Sequence, residues 1–190
     1  MDKFSNKMKI LKFRAYDKET KRMFPVFSFD CNHVVPDGKE YYEGKNPLPI
    51  PPERESCILM QFTGLHDSTK WEQLSKEEQD EWISNRKKPE DWNGKEIYEG
   101  DIVNIIEQGM WGGEYNVAVE YLERWALFGV VCSKAKSISH HPDVTTLFTR
   151  GFLTRNFGSC IALGELIKHP FQSFEIIGNI HENPELLEEK

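Results

Sequence analysis

A chain of 190 residues has room for one domain with a proper core, or one domain with a modest elaboration, and is tight for two. With 38% hydrophobic and 29% charged residues its composition is that of an ordinary globular protein, and no apolar run approaches the roughly 18 residues that span a bilayer. The net charge of −7 argues against tight nonspecific duplex binding, because that affinity comes from Lys and Arg neutralising phosphates.

The N-terminal stretch MDKFSNKMKILKFRAYD lacks an apolar core followed by small residues, so no signal peptide is expected and the cytoplasm is the default compartment. Alternation then begins at Ile10. Leu11, Phe13 and Ala15 fall on one side and Lys12, Arg14 and Tyr16 on the other, the period of a half-buried strand. The polar DKETK predicts a turn, and Met23 to Phe29 a returning strand in which Pro25 suggests an edge or a bulge. Residues 32–52, rich in Pro, Gly and charge, read as a surface loop, and CILMQF (57–62) as a buried strand ending at Thr63-Gly64. From Ser68 to Lys88 the spacing becomes helical. Trp71, Leu74, Trp82 and Ile83 share a stripe expected to dock on the rest of the domain, or else to stay partly exposed for a partner, Ser75 and Glu78 form a capping-box pattern where the helix could break, and Pro89 ends it.

Beyond Pro89, Asn93-Gly94 suits a hairpin turn and Glu99-Gly100-Asp101 a second turn, with Ile97 and Tyr98 as core anchors and Lys95, Glu96, Glu99 and Asp101 as solvated turn residues. Strands follow at 101–107 and 114–122, the latter alternating Tyr115, Val117, Val119 and Tyr121 against Glu114, Asn116 and Glu120. ERW makes a tight turn into a strand at 126–132, a polar loop leads to a weaker strand at 145–153, and a short helix with Ser159 as its cap is expected at 159–169. The last strand is placed at 174–180, with one helical turn after Pro184. Short strands, tight turns and two brief helices, one of them inserted between strands, predict a mostly β (α+β) domain. Its antiparallel sheet is expected to close into a small barrel of SH3-like character or to bend strongly. Charge is uneven along it: residues 1–22 hold eight Lys/Arg against three Asp/Glu and residues 174–190 five Glu against one Lys, a contrast that could pack the ends together or draw copies together.

Four segments carry a family resemblance. Phe13-Arg14-Ala15-Tyr16-Asp17, Met60 to Asp67 (MQFTGLHD), Asn93 to Val103 (NGKEIYEGDIV) and Ile177 to Leu187 (IGNIHENPELL) resemble, in that order, the segments of the YopX family of phage and prophage proteins. They cover about a fifth of the chain but span nearly all of it. Asp17, Gly64, Asn93, Gly94, Gly100, Asp101, Gly178, Asn179 and Pro184 are the turn-building residues within or beside them. Tyr16 stands where the family usually has Trp, and Met8 matches the usual start, so residues 1–7 look like an extension of a domain covering 8–190. The second and third segments normally run almost together, so residues 68–91 look like a helical insertion, placed where added chain costs little. The resemblance implies a phage-borne, cytoplasmic, mainly β protein of the bacterial host cell that tends to be found as an assembly, and it implies no reaction.

The chemistry-bearing residues leave alternatives open. Arg14, Asp17, Glu99 and Asp101 could form a metal-dependent or acid/base enzyme site, against which Arg14 could instead pair with a carboxylate and clamp the N-terminal hairpin. Cys31 and His33, with His140, His141 and Asp143, are suitable metal ligands but lack typical spacing, so no metal and no cofactor are expected. No C-x-x-C pair, P-loop, dinucleotide fingerprint or nucleophile elbow occurs. A binding role is the favoured expectation. Trp111, Trp125 and Tyr98, with Arg14, Lys134, Lys136 and Arg150, could form a stacking and charged surface, although the tryptophans could equally cap the barrel ends. The expected partners are copies of the chain or a host or phage protein, then nucleic acid, and no membrane.

Overall fold

The computed structural model describes residues 11–37, 53–106, 113–131, 134–138, 160–168 and 173–188. Antiparallel strands dominate them, with two short helices. The chain divides into two compact units, Met1–Phe62 and Thr63–Lys190.

In the first unit the alternation around Ala15 produces β1 (Phe13–Asp17), which lies between β2 (Arg22–Phe29) and β4 (Cys57–His66). β3 (Val34–Pro36) pairs with the far side of β2, so the stretch expected to be all loop contributes a strand. Pro25 does not sit on an edge strand. It is tolerated because it stands at the end of the β2–β3 ladder, next to a register shift between Val26 and Ser28, where its carbonyl still accepts from the Asp37 N–H at 2.7 Å. Ala15, Phe24, Val34 and Cys57 share a small core.

β4 continues past Gly64, whose φ of +84° bends the strand instead of ending it. Its last residues open the second unit beside β5 (Glu96–Tyr98), and the Asp67 N–H donates to the Lys95 carbonyl at 3.0 Å. Residues 68–94 connect the two strands. They form a 3-10 turn (Trp71–Gln73), α1 (Lys76–Ser84) and a second 3-10 turn (Pro89–Asp91). α1 begins where the capping box put it: the Ser75 hydroxyl accepts from the Glu78 N–H, and the Glu78 carboxylate accepts from the Ser75 N–H.

The main sheet of this unit runs β10-β8-β7-β6-β11, all antiparallel. Its members are β6 (Asp101–Ile106), β7 (Glu114–Leu122), β8 (Leu127–Val131), β10 (Cys160–Ala162) and β11 (Ser173–Asn179), and the two-residue β9 (Lys136–Ser137) pairs with the start of β7. The strand order is open and no closed barrel is present among the described residues. Val103, Ile105, Val117, Val119 and Val130 form the core with Ile97, Leu163, Leu166 and Phe174, each buried side chain of this size contributing about 1.5–3 kcal/mol. β7 departs from strict alternation. Asn116 and Ala118 are buried too, because the Asn116 amide donates to the Leu186 carbonyl of the C-terminal 3-10 turn (Pro184–Leu186) and that turn covers its face.

The helix expected at 159–169 is shorter and starts later. Residues 160–162 pair with β8, and only Leu163–Leu166 (α2) is helical, entered through Ala162 without a side-chain cap. The strand expected at 145–153 and the proposed cap Ser159 lie outside the described residues.

Candidate binding surface

Asp17 and Asp101 of the matched segments each hold a turn. Asp17, only 3% exposed at the end of β1, accepts from the Glu19 N–H at 2.9 Å and the Thr20 hydroxyl at 2.7 Å. Burial works against its charge, but the Thr20 hydroxyl, the N–H groups of Glu19 and Thr20, and the nearby Arg22 outweigh that and hold it below the usual aspartate range. Asp101 is not a solvated turn residue as the sequence suggested. It is buried, and its Oδ2 accepts from the Tyr98 N–H at 2.8 Å across the Glu99-Gly100 turn. Gly100, at φ +80°, donates to the Val119 carbonyl and accepts from the Ile180 N–H, which ties the turn to β7 and to the end of β11.

A third carboxylate, Asp67, ties three segments together. Its Oδ1 accepts from the Lys95 N–H at 2.7 Å and the Thr69 N–H at 3.0 Å, and its Oδ2 from the Thr69 hydroxyl at 2.7 Å and the Ile176 N–H at 3.0 Å. Gly94, at φ +102°, lets the returning chain approach: a Cβ there would lie 2.1 Å from the Asp67 carbonyl oxygen. The Asn93-Gly94 pair is thus not a two-residue hairpin but the point where residues 68–94 close onto Asp67. Gly178 has the same kind of role. A Cβ there would meet the Asn183 Oδ1 at 2.6 Å, and Asn183 in turn holds the Asn179 backbone, while Asn179 Oδ1 caps the His181 N–H and Pro184 opens the following 3-10 turn.

The stripe on residues 68–88 does not dock through its helix. α1 has no buried residue, Ile83 is 51% exposed, and of the stripe only Leu74, ahead of the helix, is buried. The tryptophans turn instead toward Trp92, which meets Trp82 edge-on at 4.9 Å and Trp71 at 6.2 Å and donates its indole N–H to the Thr69 carbonyl at 2.8 Å. Trp92 was not singled out from the sequence. It lies beyond Pro89, where helical periodicity has already stopped.

Of the residues expected to bind, Tyr98 is half-buried and donates its hydroxyl to Glu96, and Arg14 is half-buried in β1. Lys136 reaches the Glu185 carbonyl at 3.3 Å. Trp111 and Arg150 lie outside the described residues, as do His140, His141 and Asp143. Cys31 is exposed, and His33 is held in the Asp30 turn, where its N–H donates to the Asp30 carboxylate. Among the described residues no three His, Cys, Asp or Glu side chains group to hold a metal ion.

Exposed large apolar side chains stand at several places among the described residues, Phe27 and Phe29 of β2 and Ile83 of α1 among them, and the β7–β8 hairpin is one such place. Tyr121, 44% exposed, packs edge-on against its cross-strand partner Phe128 at 5.3 Å. The Glu123–Trp125 turn, closed by Ala126 at φ +51°, carries Trp125 with the Arg124 guanidinium 5.6 Å from its ring, and Lys134 pairs with Glu120 at 2.8 Å beside them. Three rings and an Arg over one of them thus share a two-stranded platform, and aromatic and Arg side chains are the types enriched in protein contacts. Among the described residues no helix is long and apolar enough to cross a membrane, which says nothing of β-barrels.

A sequence model of the YopX family, described as YopX protein, matches residues 72–188. No curated protein and no solved structure gives a match.

Proposed function

Starting from the chain's membership of the YopX family, we propose that it is a non-catalytic accessory protein of a phage or prophage, working in the bacterial cytoplasm by binding copies of itself or another protein. The observation that carries this reading is the division of labour among polar residues. Asp17, Asp67 and Asp101 each accept backbone N–H groups within turns, whereas Tyr121, Trp125, Arg124 and Phe128 stand together at the hairpin surface. A carboxylate that acts as acid, base or metal ligand needs a lone pair aimed at open space. In this reading the second unit works in the manner of SH3-like modules, which present turns and strand edges to a partner.

Aromatic and Arg side chains dominate the energy of protein contacts, so the hairpin is the surface assigned to the partner. The test is site-specific photocrosslinking from Tyr121 in the host cell, which captures a protein touching this ring whether it is a second copy or a different chain.

A further inference from the structure

Among the described residues β11 is the last strand of its sheet, with β6 on one side only, and an edge of this kind invites pairing with another chain. Several of its outward backbone groups are nevertheless taken. The Phe174 N–H donates to the Ser68 hydroxyl at 2.8 Å, and the Phe174 carbonyl accepts from the Ser68 N–H at 2.8 Å and its hydroxyl at 2.9 Å. Two residues on, the Ile176 N–H donates to Asp67 Oδ2 at 3.0 Å. At the far end the Asn179 N–H donates to Asn183 Oδ1 at 3.3 Å, and the Asn183 N–H returns a bond to the Asn179 carbonyl at 2.8 Å. Ile177 lies between these clasps at a register shift, where the bulge twists the edge away from a straight ladder.

We infer that Asp67 and Ser68, with Asn183, form an autoinhibitory strap that occupies ladder positions of β11 and keeps this edge from pairing with the same edge of a second copy. Asp67 and Ser68 supply, through side chains, the acceptors that a neighbouring strand would supply through carbonyls. Once opened, the edge meets its own equivalent first, because every copy carries it at the same concentration and antiparallel self-pairing is symmetric. The inference is independent of the hairpin surface proposed above, which lies on β7 and β8.

The test combines amide hydrogen exchange and sedimentation velocity on the full chain, comparing wild type with Asp67→Ala/Ser68→Ala. In wild type the Phe174 and Ile176 amides exchange slowly at every concentration. In the variant they exchange faster by about tenfold or more when dilute, the effect of losing bonded partners. Raising the concentration then restores their protection together with a doubling of sedimenting mass. Amides that stay slow in the variant overturn the inference, as do amides that open while mass and protection ignore concentration, or regain protection only on addition of an unrelated extended peptide. Should the double variant fail to fold, Ser68→Ala, which keeps the carboxylate, gives the same reading at Phe174: concentration-dependent protection supports the strap, and unchanged or concentration-independent exchange overturns it.

Discussion

Gly64 and Gly94 both hold positive φ, yet they serve different ends and separate two costs that are often merged. A Cβ at Gly64 meets nothing within 4 Å, so Gly64→Ala carries only left-handed strain, about 1 kcal/mol. A Cβ at Gly94 meets the Asp67 carbonyl, which is backbone and cannot swing aside, so Gly94→Ala costs about 3 kcal/mol or more. Denaturant unfolding of the two variants checks the order, and equal losses would contradict it. Asp17 gives a pH-dependent counterpart. Its carboxyl titrates below the ordinary value of 3.8, so its stabilisation is full above that value and disappears as pH falls through the lower folded value. Asp17→Asn is expected to lose about 1 kcal/mol at neutral pH, and the gap to wild type closes below roughly pH 4 in thermal unfolding. Much of this scale was legible in the sequence, since Gly and Asp at a turn announce themselves by what only they can do. Asp67 was harder to see. Its residue type marks a turn, but the amide it holds on Ile176 lies 109 positions away, and no local pattern reports such a partner.

Among the elements, strands with clean alternation were read closely: β7 falls on the residues expected, 114–122, because Tyr115, Val117 and Val119 repeat every second position around polar neighbours. β3 was missed, being three residues inside a stretch of turn formers, and the helix near 163 was overdrawn because Ile161 and Ala162 suit a helix but pair with Val130 and Gly129 instead. The segment between β4 and β5 illustrates the same competition. Its capping box fixed where α1 begins, whereas the destination of its tryptophans depended on Trp92, outside the periodic window. Since α1 buries nothing, the segment is held by the three rings and the Trp92–Thr69 bond together with the buried Leu74, the Lys95–Glu78 ion pair and the Gln73–Glu175 bond. Trp92→Ala is therefore expected to cost about 2 kcal/mol and to open residues 70–92 to limited proteolysis before the β6–β7 core is cut. Simultaneous cleavage in both regions would mean the segment is not held separately.

For the molecule as a whole, the family match covers 72–188 and so includes α1, β5, the full second-unit sheet and the C-terminal 3-10 turn. Within that span, buried polar side chains such as Asn116 and Asn179 are spent on joining turns to strands. On the proposed reading the working surface is the hairpin with Tyr121 and Trp125, where aromatic area and an Arg over a ring coincide. This could not be read from sequence. The alternation of β7 predicts Tyr121 on the face of Tyr115, Val117 and Val119, whereas at the end of the strand it is 44% exposed. The deciding measurement is photocrosslinking in the bacterial host with a benzophenone amino acid replacing Tyr121, and with the same group at exposed Glu55 in the first unit as control. A discrete protein adduct from position 121, at twice the 22.2 kDa chain mass for a second copy or at another fixed mass for a different protein, and none at position 55, is the predicted result. Equal labelling from both positions, or adducts to nucleic acid alone, would contradict it.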